Sequence, residues 1–227
     1  MRKTTLVSAL YQSLLDRLLA NELKPGEKIN LDRLRGELGV SISPLREAIS
    51  RLTATRLIQF EDQRGYTVAD VSMEDFREVM EICRNSECFA LERAIRDGDL
   101  TWESNVTAAL YRLQNTESNF GSPEWEMAHR DFHLTLVSAC KMPRLHDLIG
   151  QIAIAQRRYR GLIDIRKLSD RSADHVALAK AALARDTERA CEVMRQHIDG
   201  VAAETEVLLA RYFAAQSAPD NRPATRP

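Results

Sequence analysis

VSISPLREAISRL, residues 40–52, decides the fold. Leu45, Ala48, Ile49 and Leu52 fall at i, i+3, i+4 and i+7, the spacing of one buried helical stripe. Ser43 is expected as the N-cap and Pro44 as the first helical residue, where its missing N–H costs nothing. Arg46, Glu47, Ser50 and Arg51 are left to face outward. Leu31 to Leu38 is a second apolar-periodic segment, and Gly39 suits the cap that ends it. Two short helices so joined are either an ordinary corner of an all-α protein or a helix-turn-helix. In a helix-turn-helix the start of the second helix enters the major groove, and here it offers Ser41, Ser43 and Arg46.

The segment downstream favours the second choice. Leu57-Ile58-Gln59-Phe60-Glu61 has strand character, Asp62-Gln63-Arg64-Gly65 is turn chemistry, and Tyr66-Thr67-Val68 alternates as a second strand. A helix-turn-helix followed by a hairpin is a winged helix. Arg64 and Gly65 at the wing tip are placed for a phosphate or a minor groove. Arg33 and Arg35 of the first helix read either as phosphate contacts or as solvated charges. Upstream, residues 4–21 predict an amphipathic helix with Leu6, Ala9, Leu10, Leu14 and Leu18 on one face.

In this region the chain resembles the GntR family of bacterial transcription regulators. The matching residues are Leu23-Lys24-Pro25-Gly26-Glu27-Lys28, Leu34 to Gly39, Val40-Ser41 with Ser43-Pro44-Leu45-Arg46-Glu47-Ala48, and Arg64-Gly65-Tyr66-Thr67-Val68. Family members usually carry a basic residue between the two serines, and this chain has Ile42. The resemblance therefore implies operator DNA as a partner without implying which operator.

Composition agrees with two domains. The chain has 227 residues, 44% of them apolar, enough for two cores. No apolar run is long enough to span a membrane and no signal region opens the chain, so a cytoplasmic protein is expected. Cys83, Cys88, Cys140 and Cys191 lack CxxC spacing and read as reduced packing thiols. The net charge of −1 is split unevenly. Residues 1–56 hold ten basic and six acidic side chains, and the rest hold 22 basic and 27 acidic. A mildly basic head on an acidic body fits a DNA-binding domain joined to a regulatory one.

From Ser72 onward the pattern is helical only. Ser72 and Asp75 are spaced as a capping box. Helices are expected over about 72–97, 101–118, 124–140, 144–165, 169–184 and 187–213, a six-helix bundle. The domain plan is a winged helix-turn-helix over 1–70, an all-helical effector-binding and dimerisation domain over 71–213, and a disordered tail over 214–227.

Four of the five histidines form a constellation. His129 and His133 are four apart on one helix and share a face. His175 and His197 lie on two further helices that an antiparallel bundle can bring to the same cavity. Imidazoles so arranged suit zinc, nickel or a related divalent ion, and they suit packing equally well. The second half is similar to the FCD ligand-binding domain of the FadR subgroup. The similarity runs through Arg84 and Glu87, Phe132-His133 with Leu136, His175 with Ala181-Ala182, and Met194-Arg195 before His197. It implies a metal on His133, His175 and His197, with His129 standing where the family has an aspartate. Asp131 lies two residues on, about 200° around the helix, and points off that face. Four neutral imidazoles would leave the ion's charge uncompensated. The resemblance also turns Arg84 toward a carboxylate effector, although a helix pair with Glu81 or Glu87 would use the same residue. Tyr159 and Arg160 are further candidates for the cavity wall.

The reading is a homodimeric, ligand-responsive repressor and not an enzyme. Its heads bind a palindromic DNA operator, and its bundle takes a divalent metal and a small organic acid. A metal-dependent enzyme, or a pure metal sensor using the histidine cluster, is the alternative. Glu126 is the nearest carboxylate to the histidines that could serve as a base, and it also reads as a solvated charge.

Overall fold

The computed structural model describes residues 5–217. The head consists of α1 (Leu6–Leu19), α2 (Leu31–Leu38), α3 (Ile42–Thr53) and an antiparallel hairpin, β1 (Ile58–Glu61) with β2 (Gly65–Val68). Ile58 pairs with Val68 and Glu61 with Gly65. The turn needs left-handed backbone, at Gln63 (φ 65°) and at Gly65 (φ 85°). Residues 27–29 run along β2, where Ile29 N–H donates to the Tyr66 carbonyl and Val68 N–H to that of Glu27, both at 2.9 Å.

Leu45, Ala48, Ile49 and Leu52 are fully buried, against Leu10, Leu14, Leu15, Leu18 and Leu19 of α1 and against Leu34. The apolar face of α1 thus runs through Leu15 and Leu19, while Leu6 and Ala9 are exposed. Gly39 ends α2 in the left-handed region at φ 64°, its N–H returning to the Arg35 carbonyl. The expected cap of α3 is displaced. Ser41, not Ser43, is the N-cap, and its side chain makes no capping bond. Helix α3 can start early because Pro44 still falls within the first turn, where N–H groups have no intrahelical acceptor. Ile42 becomes the first residue of α3 and packs on the head core.

The body is a six-helix bundle: α4 (Met73–Asp97), α5 (Leu100–Gln114), α6 (Pro123–Val137), α7 (Pro143–Arg160), α8 (Ser172–Leu183) and α9 (Thr187–Ser217). Helix α4 lies along α9 and α7, and α8 lies along α9. Ser72 caps α4, its Oγ accepting from Asp75 N–H at 3.0 Å, but only half of the expected box forms. The Asp75 carboxylate accepts instead from the Tyr159 hydroxyl. Three helices are shorter than expected. Helix α5 stops at Gln114, α6 gives way at Ser138 to a 3-10 turn, and α7 ends at Arg160 with Gly161 as its cap. After α6 and α7 the pattern runs on because the following turns still bury apolar side chains on the same core, among them Cys140, Leu162, Ile163 and Ile165; residues 115–118 after α5 are polar and carry no such pattern. Helix α8 begins at Ser172, so residues 161–171 are a connecting segment. Of the tail expected over 214–227, residues 214–217 continue α9 and the remainder lies outside the described residues.

Head and body meet at the end of α7. Ile154 packs against the head core. The Arg158 guanidinium donates to the Ala69 carbonyl, and the Tyr159 hydroxyl reaches the Ser72 carbonyl at 3.2 Å. Gly161 lies so close to the Leu19 carbonyl that a side chain there would collide with it. The four cysteines are buried free thiols. Among the described residues no helix is long and apolar enough to cross a membrane.

Candidate metal centre and DNA-facing groove

The imidazoles of His129, His133, His175 and His197 converge in the bundle, one nitrogen from each lying within 4.8 Å of the others. Helix α6 supplies two by its i, i+4 spacing, α8 supplies His175 and α9 supplies His197. Trp125, one turn before His129, stacks on that ring at 4.7 Å and 19°, so α6 presents a ladder of three rings. Asp131 is exposed and paired with Arg130, off that face.

Two carboxylates not expected in this role hold two of the rings. Glu87 of α4 is buried, with Oε2 at 2.9 Å from His133 Nδ1. Its other oxygen accepts from the Cys83 thiol at 3.1 Å. Asp174 of α8 lies 3.3 Å from His197 Nδ1. A ring whose Nδ1–H donates to a carboxylate keeps Nε2 as a lone-pair nitrogen. His133 Nε2 and His175 Nε2 are in fact buried without a hydrogen-bond partner.

Electrostatics agrees. Burial, reinforced by the neighbouring imidazoles, holds His129 well below the usual histidine value of 6.5. The same causes bring His175 down to about 2. Burial also lowers His197, against the opposing pull of Asp174. Burial tends to raise the Glu87 carboxyl, but the charge and hydrogen bond of His133 outweigh it and the net direction is down. His129, His175 and His197 are therefore pushed toward the neutral form, the form that ligates a metal. A tetrahedral zinc site places its nitrogens about 3.4 Å apart. The cluster is within a small inward movement of that spacing, and its donor set fits a borderline divalent ion.

A cavity of about 320 Å³ adjoins the cluster, with His129, His175 and His197 in its wall. Phe120 and Trp125 give it an aromatic side, Ile165, Leu168 and Val201 add apolar wall, and Arg160, Arg166 and Arg171 line it together with Glu117 and Asp170. Arg160 is held by two bonds to Glu126, at 2.9 and 2.7 Å, so Glu126 is a buried ion-pair partner and not a solvated charge. Arg171 lies over Gly200 of α9, where a side chain would come within 2.5 Å of its guanidinium. It bonds Glu204 at 2.5 Å and approaches Asp174 at 3.5 Å. Of the expected wall residues, Arg160 is present, while Tyr159 turns away toward Ser72 and Asp75. Arg84 is not among the lining residues. It faces Asp199 of α9 at 3.2 Å and pairs with neither Glu81 nor Glu87. Nothing local in the sequence revealed its partner, a full bundle length away in the chain.

On the head, a groove between α3 and the wing is lined by Lys28, Arg46, Phe60, Arg64, Gly65 and Tyr66. Ser41, Ser43 and Arg46 are exposed at the start of α3. The other arginines of the expected surface have acidic neighbours. Arg33 pairs with Glu27 at 3.0 Å and with Glu37, Arg35 with Asp32 at 3.8 Å, and Arg64 with Glu61 at 2.9 Å. Arg46 and Lys28 make no ion pair among the described residues, so their charges are free to meet phosphate or base.

The profile described as bacterial regulatory proteins, gntR family, matches residues 6–68, and that of the FCD domain matches residues 78–200. An uncharacterized HTH-type transcriptional regulator, BphR, of Paraburkholderia xenovorans (strain LB400) is 33% identical over 203 residues, covering 86% of this chain and 83% of its own. The HTH-type transcriptional repressor GlaR of Escherichia coli (strain K12) is 32% identical over 199 residues, 83% of this chain and 90% of its own. Among solved structures, E. coli McbR/YncC superposes with a TM-score of 0.70 at 21% identity, over 94% of this chain and 99% of that one, which speaks to the fold alone.

Proposed function

The chain belongs to the GntR family of bacterial regulatory proteins, with an FCD domain behind the DNA-binding head, and we propose that it is a repressor whose operator binding is set by a metal and a small carboxylate in the bundle. The observation that carries this reading is the cluster of four imidazoles opening onto a cavity walled by arginines. His129, His133, His175 and His197 would hold the ion, zinc or nickel by donor type. When bound, the ion supplies a fixed positive charge toward the cavity. Arg160 and Arg171, rather than Arg84, are placed to fork a carboxylate, and Phe120 and Trp125 to cover its apolar part.

In the head, Arg46 with Ser41 and Ser43 reads the major groove. Arg33, Arg35, Arg64 and Gly65 position the backbone, with Lys28 added from the groove. A homodimer places two heads on a palindromic site. The route between the two ends is short. Arg160 faces the cavity, and the next residues on either side, Arg158, Tyr159 and Gly161, contact Ala69, Ser72 and Leu19. A ligand that shifts the last turn of α7 thus shifts the seat of the head, and it does so to the extent that it prefers one arrangement.

The test is selection of genomic fragments by the zinc-loaded full-length protein, followed by binding titrations with a panel of small carboxylates. Release of a selected palindrome by one carboxylate class supports the reading. Release by metal alone would instead make the protein a metal sensor. Turnover of a carboxylate without any DNA binding would replace the reading with an enzyme.

A further inference from the structure

A divalent ion among four neutral imidazoles would bring two positive charges into the bundle with no anion in direct contact. Among the described residues two carboxylates bond the rings, and they come from different helices. We propose that Glu87 and Asp174 are positioning residues of the metal centre, each fixing one imidazole through its Nδ1–H and together offsetting part of the ion's charge. This rests on the metal-centre reading above and adds to it two residues that touch no metal.

The geometry is specific. Glu87 is 4% exposed, a carboxylate on the apolar face of α4 that carries Met80, Cys83, Leu91 and Ala94. A buried carboxylate is costly unless its oxygens are satisfied. Both are, one by His133 Nδ1 and the other by the Cys83 thiol. The second hydrogen bond leaves the carboxylate one orientation. With Nδ1–H committed to Glu87, His133 directs its remaining nitrogen into a place where no protein group meets it. Asp174 plays the same part at His197, from the residue preceding the ligand His175. It differs in one respect. Arg171, which lines the cavity, lies 3.5 Å from the same Asp174 oxygen that His197 uses. Glu87 thus has no cation of the large cavity's wall as a partner, whereas Asp174 shares its oxygen with one. A carboxylate ligand drawn to Arg171 would change the partner of Asp174 and so the setting of His197.

Outer carboxylates of this kind typically contribute 10–100-fold to metal affinity. The experiment uses full-length protein stripped with a chelator and reloaded with Zn²⁺ or Co²⁺. Affinity is read by chelator competition, and the visible bands of the cobalt form report the ligand field. Wild type is expected to take up one ion per chain. Glu87→Gln keeps size and a hydrogen-bonding oxygen but loses the charge. It should weaken zinc by about tenfold or more and shift the cobalt bands. Asp174→Asn should do likewise, and Cys83→Ser, which keeps a donor to Glu87, should leave both near wild type. Wild-type affinity and unchanged cobalt bands in Glu87→Gln and Asp174→Asn would overturn the proposal while leaving the metal centre standing. Failure of wild type to bind either ion would overturn both. If Glu87→Gln does not fold, the half-buried Asp174 carries the same test.

Discussion

Arg46 and the four histidines show how far a single residue can be read from its spacing. Arg46 lies between the buried Leu45 and Ala48 in the first turns of α3, so the stripe that builds the core also decides that it faces outward. Its replacement by alanine is expected to weaken operator binding at least tenfold, on the scale of about 1–3 kcal/mol for a base contact, with the helical content unchanged. An unaltered binding isotherm would remove α3 from the interface. The histidines were legible as a set because two share a helix face and the chain has so few. Their outer partners were not, since Glu87 reaches His133 across 46 residues and Asp174 reaches His197 across 23. The one available signal was a glutamate at the apolar phase of α4, where Met80, Cys83 and Leu91 repeat. The expectation of an ion without compensating charge did not reckon with these two carboxylates, which spacing alone does not bring to the rings.

The buried imidazoles also set a pH response in the metal-free protein. His129, His175 and His197 are held below the usual value of 6.5, so the unfolded chain binds protons that the folded chain refuses. Their effect is nil above that value, and stability falls as pH drops below it toward the folded values. The slope is on the order of 1.4 kcal/mol per pH unit for each such ring. Glu87, lowered in the fold, acts in the same direction at lower pH. Urea midpoints of chelator-treated protein should therefore drop between pH 7.5 and 5.5. A flat profile would show the rings to be solvated.

At the scale of elements, the order of helices and hairpin follows from apolar period and turn residues, and the ends are where the reading slips. Apolar periodicity continues into turns that still cover the core, as at Leu162 and Ile165 after α7. The cap of α3 slipped because proline is tolerated throughout the first helical turn. Gly161 matters more than its place as a cap suggests. Its φ of −66° suits any residue, and only the proximity of the Leu19 carbonyl demands glycine. Gly161→Ala is expected to cost about 1–3 kcal/mol by overpacking and to alter operator affinity, because it pushes α1 off the end of α7. Within the head, Leu52→Ala should cost about 2–5 kcal/mol, since Leu52 is fully buried between α1 and α3. Thermal melts of both variants check these figures. A Gly161→Ala protein with wild-type stability and operator affinity would show that the joint tolerates the extra methyl group.

For the whole molecule, the two-part plan was visible in the charge split and in the loss of strand signals after Val68. What it could not reveal is how the parts meet. The joint is built from backbone carbonyls of Leu19, Ala69 and Ser72, and a carbonyl has no side-chain identity to read. The result is a chain in which the cavity arginine and the head contacts are neighbours in one helical turn. The regulation proposed above rests on that cavity being centred on a metal. The most direct measurement is elemental analysis of purified untagged protein beside His133→Ala. The account predicts about one divalent ion per chain in the wild type and its loss from the variant. A wild-type protein that stays metal-free after incubation with zinc and nickel, or a variant that keeps its ion in full, would contradict it.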